Sequence, residues 1–189
     1  MQSRIERGGF TLIELILVVV LISIMTSIVA PMWRVSPARR VENMAHLLAT
    51  QLELARNEAL SERAMIRVDF DVTGDAYVAY VDHDGNDSIA ASAPEIAAFP
   101  AFGSRTLERF VEFGRGSASA VPGDATAGAV TLPSNQLLLS DQGVPEPWGT
   151  MGTIYLTHSE DNSAVAAISV ASSGSFKAWK WDAGSSTWR

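Results

Sequence analysis

Residues 8–30 read GGFTLIELILVVVLISIMTSIVA, an almost unbroken apolar stretch with a single charged side chain, Glu14, near its start. An ionised group in the middle of a membrane costs about 3 kcal/mol or more, so a carboxylate kept in such a segment needs a positive partner. Cleavage of the peptide bond after Gly9 would create one, because Phe10 would then carry a free α-amino group. Glu14 can pair with that amine in its own chain or in a neighbouring subunit.

The same stretch is long and apolar enough to predict a transmembrane helix at residues 10–33. Such a helix would be about 36 Å long at 1.5 Å per residue, which is enough to cross a bilayer. Residues 15–33 are uncharged, and 11 of them are Leu, Ile or Val. These side chains contribute about −3 to −7 kcal/mol to insertion, which outweighs one acid near the end of the span. Arginines lie on both sides of the span, so their distribution leaves its orientation open.

Beyond the span, a second helical pattern predicts an amphipathic continuation over residues 34–64. Apolar side chains recur there at spacings of three and four, as on one face of a helix. The sequence therefore predicts one long N-terminal helix, interrupted between Pro31 and Pro37, whose second half packs on a globular head. Its packing face is made up of Val41, Met44, Ala45, Leu48, Leu52, Ala55 and Ala59.

At Ile66 the period of the pattern changes from 3.6 to 2, which predicts a β-rich head over residues 65–189. Residues 172–175 are predicted to form a hairpin turn. Residues 114–128 are rich in Gly, Ala and Ser and are predicted to be a loop with little reason to be ordered. The fold class is therefore α+β, with a long N-terminal helix packed on an antiparallel β head. The predicted strands are 66–72, 76–81, 110–113, 130–132, 136–139, 153–156, 165–170 and 176–181.

Composition and charge restrict the classes of function that the protein can have. The 189-residue chain has a net charge of −7, which disfavours non-specific binding to nucleic acid or anionic lipid. It contains no cysteine, so the fold of the head must be stabilised by a packed core rather than by disulfides. The histidines His46, His83 and His158 show no metal-ligand spacing, and no nucleophile elbow or phosphate loop is present. We therefore expect that the protein is not an enzyme.

The segment Gly9-Phe10-Thr11-Leu12-Ile13-Glu14-Leu15 resembles the processing and methylation motif of type IV pilins and type II secretion pseudopilins. The resemblance implies that a prepilin peptidase removes residues 1–9 as a cytoplasmic leader, cutting between Gly9 and Phe10, and N-methylates Phe10. It implies that Glu14 is the carboxylate used in assembly with other pilins or pseudopilins. It also implies a single pass through the bacterial inner membrane, in contact with lipid before assembly, with the head in the periplasm.

Short segments of the head resemble the GspH/FimT group of minor pseudopilins and minor pilins. This resemblance implies a subunit of the pseudopilus of a type II secretion system, which exports proteins. The alternative is a minor pilin of a type IV or mannose-sensitive haemagglutinin pilus, with DNA binding in competence as one variant. The sequence does not identify the machine or the neighbouring subunits. The matching segments are LELARNEAL at 52–60, VDHDGND at 81–87, LSDQG at 139–143 and ISVASSG at 168–174.

An acidic loop after the second predicted strand is a candidate calcium site. Asp82, Asp84 and Asn86 place oxygen atoms at alternate positions, as a calcium-binding loop does. The EF-hand pattern then fails, because Asp87 replaces the glycine at the sixth position. Glu95 would have to reach back as a further ligand. The same residue types also form ordinary solvated turns, so both interpretations stay open.

The C-terminal segment interleaves basic and aromatic residues, as single-stranded nucleic acid binders do. Lys177, Lys180 and Arg189 are the candidate nucleic-acid contacts. The segment lacks the Gly-Arg-x-Arg pattern of DNA-binding pilins of the FimT type, and its alternation equally fits a last strand with one exposed face. Nucleic acid is therefore not the expected partner.

The assigned cleavage site predicts the effect of a bulky residue at position 9. Gly9→Trp should leave an uncleaved precursor, because the peptidase requires a small residue before the cut. Gel mobility and the intact mass of the purified protein measure this directly. A protein of mature size, beginning at Phe10, would contradict the assignment.

Overall fold

The computed structural model describes residues 11–29, 36–82, 85, 89, 105–124 and 126–189. The chain divides into two compact units, Met1–Ser36 and Pro37–Arg189. The first unit contains one helix, α1 (Leu12–Val29). Among the described residues, we find no helix with both the length and the hydropathy needed to cross a membrane. Residues 10 and 30–33 of the predicted span lie outside the described residues.

The second unit begins with helix α2 (Pro37–Glu62). Proline suits the first position of a helix, where no intrahelical partner exists for a backbone N–H. All seven apolar residues predicted for the packing face are buried, and Gln51 is buried with them. The helix ends where Arg63 adopts a left-handed conformation, with φ of 51°.

In the described part of this unit, ten strands form two five-stranded antiparallel sheets. The first sheet has the order β3-β2-β1-β5-β6, and the second has the order β10-β9-β8-β7-β4. Helix α2 packs against β7, β8 and β9 and also contacts β1 and β4. The strands are β1 (Ile66–Asp71), β2 (Ala76–Val81), β3 (Arg105–Thr106), β4 (Val111–Phe113), β5 (Gln136–Leu139), β6 (Pro145–Glu146), β7 (Gly152–His158), β8 (Asp161–Val170), β9 (Phe176–Asp182) and β10 (Thr187–Trp188).

Most of the predicted strands are confirmed, but residues 130–132 do not form one. Val130 makes a single bridge to Ile154, and a 3-10 turn, Pro133–Asn135, follows. Pro133 has no backbone N–H to donate, so a strand ladder cannot continue through it. The sequence patterns also missed β3, β6 and β10, because two residues are too few to show alternation. The hairpin turn between β8 and β9 is confirmed.

The expectation of little order in the loop at residues 114–128 is wrong for its described part. Ala118 and Val121 in this loop are buried. The backbone N–H of Ser117 donates to the carbonyl oxygen of Asn162 at 2.8 Å. The N–H of Val121 donates to the hydroxyl oxygen of Tyr155 at 3.0 Å. Small side chains allow this close approach, so the composition here reflects packing rather than mobility.

The unit Pro37–Arg189 contains its own hydrophobic core. Within the described residues, the buried side chains of the core all belong to residues from Val41 onward. The main cluster lies between α2 and the facing sides of the strands, and two smaller clusters surround Trp181 and Tyr155. We therefore expect residues 37–189 to fold without the preceding residues.

Two adjacent leucines of α2 provide a test of this packing. Leu48 is fully buried, whereas Leu47 is 48% exposed. Leu48→Ala should lower the free energy of unfolding of residues 37–189 by about 2–5 kcal/mol, because it leaves a cavity against the sheet. Leu47→Ala should lower it by under about 1 kcal/mol. Urea denaturation of both variants measures the difference, and equal losses would contradict the assigned helix face.

Candidate functional site

The start of α1 contains the one predicted assembly residue that the structure describes, Glu14. Thr11 caps the helix, since its hydroxyl oxygen accepts the N–H of Glu14 at 3.3 Å. Thr11 and Glu14 have the spacing of a capping box, in which the acid supports the first turn. A carboxylate is also favoured there by the positive end of the helix dipole. Gly9 and Phe10 lie outside the described residues, so their roles stay predictions.

Helix α1 has no polar face. Its described side chains are exposed all around, from Leu12 to Met25 and beyond. The hydroxyls of Ser23 and Ser27 donate to carbonyl oxygens four residues earlier, Val19 and Ser23, each at 2.8 Å. These hydroxyls therefore need no outside partner, which suits an apolar environment. A helix whose exposed side chains are mainly apolar is expected to be covered by lipid or by other protein.

In the head, a polar network that the sequence patterns missed holds the 114–128 loop against the second sheet. The Asp124 carboxylate accepts three hydrogen bonds from neutral groups. Its Oδ1 accepts the N–H of Thr126 at 3.0 Å, and its Oδ2 accepts the hydroxyls of Thr131 at 3.0 Å and Tyr155 at 3.1 Å. The residues in these contacts are up to 31 positions apart in the sequence, so no local motif predicts the contacts.

The same network sets the protonation of Asp124. Burial alone would raise the pKa of this carboxyl, but the polar contacts with Thr126, Thr153, Thr131 and Tyr155 outweigh it. The pKa of Asp124 is therefore held below its ordinary value of 3.8. The carboxylate stays ionised at neutral pH and presents a negative charge at the surface of the head.

The candidate calcium loop is described only in part. Asp82 is buried, and its Oδ1 accepts the N–H of Gly85 at 2.9 Å. Asp84, Asn86 and Glu95 lie outside the described residues, so the calcium prediction is not tested. Elsewhere in the described ranges, no group of three or more His, Asp or Glu side chains is placed to hold a metal ion.

The three candidate nucleic-acid residues do not form one patch. Lys180 pairs with Glu42 at 2.7 Å, and Arg189 pairs with Asp182 at 2.5 Å. The Nζ of Lys177 lies 3.4 Å from the centre of the Trp179 ring. Positions 177 and 180 are three apart on β9, so their side chains point to opposite faces of the sheet. This geometry favours the packing interpretation.

Comparison with protein families decides the identity. The family described as type II transport protein GspH matches residues 44–174, and the prokaryotic N-terminal methylation motif matches residues 6–30. The first match covers more than half of the chain. The chain belongs to the GspH family. It is thus a minor pseudopilin or minor pilin with an N-terminal methylation motif, of a class that is anchored in the membrane before assembly.

Two solved structures with TM-scores of 0.50 or more show the same fold. The minor pseudopilin EpsH from the type 2 secretion system of Vibrio cholerae aligns with a TM-score of 0.52 and 12% identity, over 75% of this chain and 97% of EpsH. A second EpsH structure aligns with a TM-score of 0.50 and 15% identity, over 76% of this chain and 95% of EpsH. The type IV minor pilin FimU of Pseudomonas aeruginosa aligns with a TM-score of 0.49 and 17% identity, over 77% of this chain and 91% of FimU. The predicted α+β pilin-like fold is confirmed. No curated protein matches the chain.

The Asp124 network predicts a pH dependence of stability in this GspH-family head. Because the folded pKa lies below the ordinary 3.8, the carboxylate adds stability above that value and loses it as the pH falls through the folded pKa. Urea denaturation of residues 37–189 should therefore show Asp124→Asn to be less stable than wild type at pH 7, with the difference shrinking below pH 3.8. A constant difference across this pH range would contradict the network.

Proposed function

We propose that this chain is a minor pseudopilin of a type II secretion system. The match of the GspH family to residues 44–174 carries the proposal, because that family is described as a type II transport protein. The methylation motif at residues 6–30 and the mainly apolar surface of α1 support it. In this role the subunit joins a pseudopilus that drives protein export.

The proposed maturation begins in the inner membrane. A prepilin peptidase cuts between Gly9 and Phe10 and methylates the new amine, with the N-terminus in the cytoplasm and the head in the periplasm. On assembly, the side chains of α1 exchange lipid for the helices of neighbouring subunits. Glu14 then neutralises the Phe10 amine of an adjacent subunit. A buried charge with a partner is far less costly than one without, so this pairing would select the correct register.

In this proposal the protein is a substrate of the peptidase and a building block, not an enzyme, and its assembly role needs no cofactor. The calcium prediction for the loop that begins at Asp82 is separate and concerns the head alone. A pilus subunit that binds DNA is the competing function. The pairing of Lys180 with Glu42 and of Arg189 with Asp182 disfavours it, because paired cations attract phosphate weakly.

The assembly role of Glu14 is tested by Glu14→Ala in the full chain. Cleavage and methylation should continue, since the peptidase acts at the Gly9–Phe10 bond, but incorporation into the fibre should fall strongly because the Phe10 amine loses its partner. Glu62→Ala removes an exposed carboxylate at the end of α2 and is the matched control. Co-purification with the other fibre subunits measures incorporation, and the mass of the mature chain measures processing. Normal incorporation of the Glu14 variant would refute the role.

A further inference from the structure

An open cleft of about 450 Å³ lies where the 114–128 loop meets the second sheet. It is located beside the start of β7 and the end of β8, which are adjacent in the antiparallel ladder because Gly152 pairs with Val170. Its lining combines one carboxylate with apolar and small polar side chains. The residues that matter are Pro122, Asp124, Met151, Thr153, Ser169 and Val170.

The carboxylate in this cleft, Asp124, has no cationic partner in the described part of the chain. The ion pairs between described residues all involve other acids. Arg115 comes near, but its Nη2 lies 3.5 Å from the hydroxyl of Tyr155 and its guanidinium stacks on the Tyr155 ring at 4.8 Å. Asp124 is held only by neutral donors, so its negative charge is left to attract a cation from outside.

The walls of the cleft suit the aliphatic part of a long side chain such as that of arginine or lysine. Met151 is 65% exposed and lines the cleft together with Pro122. Trp148, three residues earlier on the β6–β7 loop, is 87% exposed. The loop is closed by the N–H of Thr150, which donates to the carbonyl oxygen of Pro147 at 3.0 Å, so Trp148 occupies the turn itself. Exposed indoles are common at protein interaction sites, and an indole attracts cations through its ring face.

We propose that this cleft receives an arginine or lysine side chain from a different subunit of the same fibre. The stem of the basic residue packs along Met151 and Pro122, and its charged head pairs with Asp124. The proposal rests on the proposed function, which supplies the neighbouring subunits.

Charge selects this occupant over the other macromolecules present. Nucleic acid and anionic lipid carry negative charge, which Asp124 repels. A second copy of this chain has a net charge of −7, and five of its basic side chains are already paired within the head. A basic side chain of another subunit meets neither obstacle, and complementary charge is a common means of selecting one partner among similar ones.

The test uses ¹⁵N-labelled protein of residues 37–189, which contains its own core. The probes are the peptide acetyl-Ala-Arg-Ala-amide and its citrulline analogue, which has nearly the same shape but no charge. The arginine peptide should shift the amide signals of Thr126, Met151 and Ser169 and the indole signal of Trp148. The citrulline peptide should bind about tenfold more weakly, because it forms no charge-assisted contact.

Three variants assign the binding to the cleft. Asp124→Asn should weaken the arginine peptide about tenfold, because it removes the charge. Met151→Lys leaves the Asp124 network intact and places a competing cation in the cleft, so it should weaken binding by a similar factor. Glu160→Gln, at the opposite end of β7, removes a carboxylate of the same charge and should change binding by less than about twofold.

Several results would overturn the proposal. They are equal binding of the two peptides, no shifts with the arginine peptide, or shifts that persist unchanged in Asp124→Asn and Met151→Lys. Shifts of the same amides by calcium chloride, without shifts by the arginine peptide, would assign the cleft to a metal ion instead. Self-association of the wild-type protein that Asp124→Asn abolishes in sedimentation would assign it to a second copy.

The peptide titration needs no fibre, so its failure is distinct from failure of the proposed function. In cells, full-length Asp124→Asn should be cleaved normally and incorporated less efficiently than Glu160→Gln. Peptide binding by the head, together with normal incorporation of Asp124→Asn, would leave the cleft without a partner in the fibre and would overturn the proposal as stated.

Discussion

The head depends on the burial of one face of α2 against the sheets. That face combines large side chains such as Leu48 and Leu52 with alanines, including Ala45, Ala55 and Ala59, all buried. Small residues on a helix allow close approach, and the facing strand β8 is also rich in alanine. Tight packing over the length of α2 removes much apolar surface from water, which is the dominant source of stability in a head without disulfides. In the second sheet, β7, β8 and β9 all contact α2 and are covered by it.

Strand β8 explains why the loop at residues 114–128 is ordered. Ala164, Ala166 and Ile168 belong to the core beneath α2, whereas Val165 and Ala167 on the other face belong to clusters with Trp181 and Tyr155. A strand buried on both faces requires a second cover. The 114–128 loop supplies it, and the Tyr155 hydroxyl, which binds Val121 and Asp124, fixes it in place. Asp124 thus serves packing, and its unmatched charge is a by-product that a partner can use.

The parts of this structure that the sequence predicted are those with a local period. The buried face of α2 matches the spacing of apolar residues, and the burial of β1 and β2 matches the alternation of their side chains. The network around Asp124 has no such signal, since Tyr155 is 31 residues away and lies next to it only after β7 has paired. The ordered loop was missed for the same reason, because its small side chains become informative only against the surface that they touch. The N-terminal motif was recognisable because its chemistry is local, although Gly9 and Phe10 lie outside the described residues.

In the proposed fibre, α1 and the cleft would contribute different things to assembly. The apolar surface of α1 offers much binding energy but little discrimination, because any apolar helix buries similar area against it. In that fibre Glu14 would fix register, and it would do so in the same way for every subunit that carries the motif. Selection of one neighbour among several must therefore come from the head, where surfaces differ between subunits. The Asp124 carboxylate, which shares its cleft with exposed Met151, can discriminate between neighbours, because its attraction depends on where a partner places its charge.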